Sequence, residues 1–102
     1  MDKVLREKIA RELLGMDVRY DEDGDLQWKP RDTSYWYWMP EPFSYSWLWK
    51  VETALMERGW EWLPPAPDLP WCMAKGARGY TGWHLDREDA VSAAAEVEVS
   101  EK

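Results

Sequence analysis

Nine tryptophans in a chain of 102 residues constrain its fold more than any other feature. With five tyrosines and one phenylalanine they supply fifteen large rings, against a single isoleucine and six valines. At roughly 200 Å² of burial each, such rings account for about 3,000 Å², around a quarter of the surface that a chain of this mass loses on folding. Intrinsic disorder is excluded, because disordered segments lack the apolar area that offsets ordering entropy. Three destinations stay open for the rings: the core, a protein or self-association surface, and a pocket for a small molecule.

Helix and strand signals order the rest. Leu5, Ile9, Leu13 and Met16 recur at helical spacing among charged residues, which predicts a surface helix over 2–14 with Asp2 as N-cap and Gly15 at the left-handed C′ position. Met16 to Tyr20 and Leu26 to Lys29 flank Asp21-Glu22-Asp23-Gly24-Asp25 and predict a short hairpin. A second helix runs to about Arg58, capped by Ser44 or Ser46, with Leu48, Val51, Leu55 and Met56 inward and Gly59 at C′. Strands are expected at 60–63, 70–74 and 80–85, separated by the proline-rich stretch 64–68 and a loop over 75–79. Asp86 caps a closing helix to about Val97 whose small-residue face packs close to a sheet. Interleaving of this kind predicts a single domain over 1–102, an α/β or α+β layer structure with three helices packed on a mostly antiparallel sheet.

The segment Ser34-Tyr35-Trp36-Tyr37-Trp38-Met39 stands apart. Strand alternation sends Trp36 and Trp38 to one face and Tyr35, Tyr37 and Met39 to the other, so both faces are apolar. Such a strand is covered on both sides, leaves one face for a partner or ligand, or is a loop packed onto the body. Pro40 and Pro42 end it.

Charge narrows the partners. A net charge of −7 repels phosphates and anionic headgroups, so neither nucleic acid nor a membrane is an expected partner. The lone Cys72 favours a reducing compartment, no run of apolar residues reaches membrane-spanning length, and the charged opening residues are unlike a signal peptide. A cytoplasmic location is expected.

No catalytic, cofactor or metal constellation stands out. His84 has no second His, Cys or Ser motif beside it, although an enzyme using it with Asp86 or Asp89 is conceivable. Cys72, between Trp71 and Met73, reads as a buried structural thiol. The acidic turn fails the calcium-loop spacing, since Pro30 stands where the closing Glu belongs. Lys75, Gly76, Arg78 and Gly79 could bind an anion but lack any phosphate-binding fingerprint, and a hairpin loop is the better account of the glycines.

The opening helix from Arg6 to Met16 closing on Leu-Gly-Met, Pro42-Phe43-Ser44 with the following helix of Trp49, Val51 and Leu55 ending at Gly59, and the Ala-rich helix Arg87 to Ala95 form a set of motifs. Together they resemble the phage ABA sandwich domain family. Ser46 stands where the family has an acidic residue. The resemblance implies an α/β/α sandwich of phage or prophage origin and assigns no activity. Taken together, the expectation is a non-enzymatic protein of the host cytoplasm that binds a host or phage protein, or a second copy of itself. Its contact surface is aromatic and acid-rimmed, built from Tyr35, Trp36, Tyr37, Trp38, Trp47 and Trp49. The alternative is a binder of a nucleotide-like small molecule held between stacked tryptophans.

Overall fold

Local side-chain chemistry sets the helix ends where the sequence predicts them. In the computed structural model, which describes residues 2–42, 44–76 and 79–100, the Asp2 carboxylate accepts from the Leu5 N–H at 2.8 Å and opens α1 (Lys3–Lys8). The helix then widens into a π-helical segment (Ile9–Leu13), in which the Leu14 N–H donates to the Ile9 carbonyl at 3.1 Å. Ile9, Ala10 and Leu13 are buried there, so the predicted stripe is the core-facing one. Arg58 donates to the Glu12 carbonyl at 2.7 Å, satisfying one of the end carbonyls that a helix leaves without an internal partner.

Of the two candidate caps for α2 (Tyr45–Glu57), Ser44 serves, its Oγ accepting from the Trp47 N–H at 3.3 Å. The other end is a Schellman closure. The Gly59 N–H reaches the Met56 carbonyl at 3.1 Å and the Trp60 N–H reaches the Leu55 carbonyl at 3.0 Å, with Gly59 at φ +98°. Leu55 and Trp60, at the two ends of that longer bond, are both buried. The inward stripe is Trp47, Val51 and Leu55, with Leu48 partly buried beside it. Met56, expected inward, is exposed, because one residue rotates a side chain by about 100° around the helix, away from that stripe.

The last helix, α3 (Arg87–Ser100), begins directly after Asp86 and outruns its predicted end near Val97. Its small residues Ala90, Ala94 and Ala95 are fully buried, and the helix packs against α2, the π-helical segment and two strands of the second sheet. No helix among the described residues is long and apolar enough to cross a membrane.

Among the described residues all strand pairing is antiparallel and the fold is α+β with three helices, as expected. The strands form two three-stranded sheets rather than the one sheet expected. The first has the order β1 (Met16–Tyr20), β2 (Leu26–Pro30), β3 (Tyr37–Trp38), and the second β4 (Glu61–Trp62), β5 (Met73–Lys75), β6 (Gly79–Tyr80). The predicted strand over 80–85 survives as β6 and an isolated bridge between Trp71 and His84. Between the pairs Ala74–Tyr80 and Trp71–His84 the later strand carries one residue more than its partner, and the resulting bulge falls at Gly82 and Trp83.

A stacked pair, Trp28 of β2 and Trp47 of α2, joins the first sheet to the helices with ring centroids 5.9 Å apart. The molecule is long for its size, 46 × 22 × 19 Å; the first sheet packs through β1 on the π-helical segment and the second through β5 and β6 on α3. In the second sheet Trp60 lies over Gly79, where a Cβ would stand 2.5 Å from Cη2 and 2.8 Å from Cζ2 of the indole. Gly79→Ala is therefore expected to lower the unfolding free energy by about 1–3 kcal/mol through overpacking. Urea denaturation reads this directly, and an unchanged midpoint would show that the ring yields freely.

Candidate functional site

β3 is one of the two edge strands of the first sheet, since in the order β1-β2-β3 one of its sides is unpaired among the described residues. Its register places Trp38 opposite Gln27 and Tyr37 opposite the buried Trp28. Directly opposed residues share a face. Trp38 therefore joins Asp17, Arg19, Gln27 and Lys29 on the outer face, while Tyr37 lies on the core side at its margin. Trp36 follows by alternation on the outer face, where the Arg19 Cζ is 4.2 Å and the Lys29 Nζ 5.6 Å from its ring centroid. The predicted division of faces thus holds for Trp36, Tyr37, Trp38 and Met39, and of these four only Met39 is buried. Pro40 and Pro42 follow closely on the two-residue strand, and among the described residues no further strand pairs with its outer side.

The six expected surface rings are not brought together. Tyr35, Trp36, Tyr37 and Trp38 line the β3 edge, whereas Trp47 is only 1% exposed and belongs to the core. Its spacing from Val51 and Leu55, four residues each time, is the signal that places it there. Trp49 is exposed but faces a separate groove with Leu13, Met16 and Ala54. Sequence reasoning missed Tyr45, the first residue of α2, which is exposed although it shares the helix with Trp47.

The electrostatics also differ from the acidic rim expected of a chain with net charge −7. The outer face carries Arg19, Lys29 and Arg31 against Asp17, and the groove beside Trp38 sets Lys3 and Arg6 against Asp25 and Glu41. Asp17 takes Lys29 at 2.8 Å and Arg31 at 3.7 Å. The Lys29 hydrogen bond outweighs desolvation and, with the charges of Lys29, Arg31 and Arg11, holds the Asp17 carboxyl below its ordinary range. Arg19 has no carboxylate partner among the described residues, and its Nε donates to Gln27 at 2.8 Å.

Residues with catalytic or metal-binding potential are engaged in structure. His84 Nε2 donates to the Thr81 carbonyl at 2.9 Å, inside the bulge it helps to close. Cys72 is buried, with the Thr81 hydroxyl 3.8 Å from its sulfur. Carboxylate oxygens of Asp21, Asp23 and Asp25 lie within 4.8 Å of one another, but Asp21 Oδ1 accepts from the Asp23 and Asp25 N–H groups, both at 2.9 Å, which is turn chemistry. Lys75, expected in a hairpin loop that could also hold an anion, ends β5 and places its ammonium 3.0 Å from Glu98. Gly79 abuts Trp60, and Arg78 of that loop lies outside the described residues. No family model, curated protein or solved structure matches this chain.

Proposed function

We propose that this chain is a non-enzymatic interaction protein that binds another protein through the open β3 edge and the rings around it. One observation carries the reading: Tyr35, Tyr37 and Trp38 are 71%, 55% and 64% exposed, all three within residues 35–38 of the edge segment. Scattered apolar side chains are ordinary on a surface, but rings concentrated along one edge are the composition of interface centres. The free edge adds unpaired backbone N–H and C=O groups suited to an extended partner segment. Its two-residue length and the flanking prolines restrict that pairing to a short segment and oppose open-ended strand addition. Charges of both signs nearby set the partner's orientation and steer encounter more than they add affinity. The structural engagement of His84 and Cys72 supports a non-catalytic role. Phage or prophage origin, and with it the host cytoplasm, belongs to the same proposal and rests on the three helix motifs.

A double variant, Tyr37→Ala with Trp38→Ala, tests it. Both side chains are largely in water, so each change is expected to shift the unfolding free energy by no more than about 0.5 kcal/mol. Affinity capture with the wild-type chain should recover a partner that the double variant loses, and sedimentation shows whether that partner is a second copy. Identical recovery by both proteins, with both folded, would overturn the proposal.

A further inference from the structure

We infer that a second site, the cleft between β4, the connection that follows it and the start of α3, binds an uncharged planar molecule of one or two fused rings. The cleft holds about 650 Å³, against about 340 Å³ beside Trp38 and about 240 Å³ beside Trp49, and falls in the range of small-molecule sites. Trp62, Leu63, Pro65, Pro70, Trp71 and Arg87 line it. Trp62 and Trp71 meet edge to face, with ring centroids 5.3 Å apart and planes at 71°. They form an apolar corner that offers a flat ligand one ring face to stack on and a second ring at its edge. Leucine and the two prolines complete the walls with groups that make no polar demand.

The corner is held in place before any ligand arrives. A single carboxylate oxygen, Glu52 Oε1, accepts from the Trp62 indole N–H at 2.8 Å and from the Arg87 guanidinium. Arg87 in turn stands 5.4 Å from the Trp62 centroid and 5.7 Å from that of Trp71. A site whose walls are fixed from behind loses little freedom on binding.

The same arrangement selects on charge. Arg87 already occupies the cation position against both rings, so a cationic ligand meets like charge. An anionic ligand finds the guanidinium neutralised by Glu52, whose side chain is mostly buried, in a protein of net charge −7. The lining comes from three separate stretches of chain, residues 62–65, 70–71 and 87. These tryptophans are not the ones the sequence suggested for a stacked ligand, and the cleft lies at the second sheet, so the inference is independent of the β3 surface.

Two matched pairs of probes test it: adenosine with AMP, and indole-3-acetamide with indole-3-acetate. The readout is the indole N–H signals in a ¹⁵N-labelled protein. At least one uncharged probe should shift the Trp62 and Trp71 signals saturably below about 1 mM, with its charged counterpart at least about tenfold weaker. The signals of Trp28 and Trp47 should stay in place and report an intact core. Trp71→Leu should weaken the uncharged probe by about tenfold or more. Absence of movement at Trp62 and Trp71 with both uncharged probes would overturn the inference, as would equal affinity for the charged partners or response to a polyproline peptide alone. The wild-type titration decides the matter even if the variant fails to fold.

Discussion

Replacing Glu98 with alanine is expected to lower the unfolding free energy by about 3–5 kcal/mol, the range for removing one partner from a buried ion cluster. Glu98 is 6% exposed, and no other polar or charged residue among those described is as deeply buried. Its carboxylate accepts from the Trp60 indole N–H at 3.0 Å and from Lys75 at 3.0 and 3.1 Å, with Arg58 at 3.5 Å. It therefore ties α3 to the end of α2, to the residue before β4 and to β5. Alanine would leave a buried indole N–H without an acceptor and two cations facing a cavity. Glu98→Gln keeps the acceptor and the volume, so about 1–2 kcal/mol is expected, because the two lysine and arginine heads are partly exposed and can turn to water. The pH dependence follows from the direction of the shift. Burial pushes the carboxyl up, but hydrogen bonds from Trp60 and Lys75 and the charges of Lys75 and Arg58 outweigh it, leaving the group below its ordinary 4.5. A folded value below the unfolded one means that the contribution is complete above about pH 4.5 and is lost as pH falls through the folded value. Urea midpoints of wild type and Glu98→Gln should therefore differ at pH 7 and converge in acid. A gap that persists unchanged at low pH would show that charge plays no part.

Glu98 also marks how far sequence reading reaches. Its distance from Val91 and Ala94 puts it on the apolar stripe of α3, an anomaly visible in the sequence. The groups that make its burial tolerable come from Arg58, Trp60 and Lys75, and nothing local announces that these distant residues converge. Helix ends, by contrast, were legible because caps act within four residues: Asp2, Ser44 and Gly59 do what their chemistry predicts. Strand lengths were less so. The run over 80–85 has strand composition, yet one extra residue at the bulge interrupts its pairing, a tertiary effect. The alternation of Trp36 and Trp38 was readable. That nothing covers β3 was not, since coverage depends on which strands become neighbours. The corner of Trp62, Trp71 and Arg87 was hidden for the same reason, because its walls lie on opposite sides of a proline-rich connection.

Trp47 separates core from surface among the rings that composition alone could not sort. Trp47→Ala is expected to cost about 3–5 kcal/mol, through lost burial and a cavity that the surrounding helix and sheet fill only in part. Stacking on Trp28 at an interplanar angle of 20° adds a pairwise share of about 0.5–1.5 kcal/mol. A double-mutant cycle over Trp28→Leu and Trp47→Leu isolates that share, because leucine removes the ring at each position while keeping an apolar side chain. Trp49→Ala, two residues along the same helix but on its exposed side, should stay within about 0.5 kcal/mol of wild type. Equal losses at Trp47 and Trp49 would contradict the helix orientation on which the core depends. The contrast also governs how a binding defect is read. A Trp47 variant that loses a partner has lost its fold, whereas a Trp38 variant that does so while unfolding normally has lost a contact, and only the second bears on what the β3 edge is for.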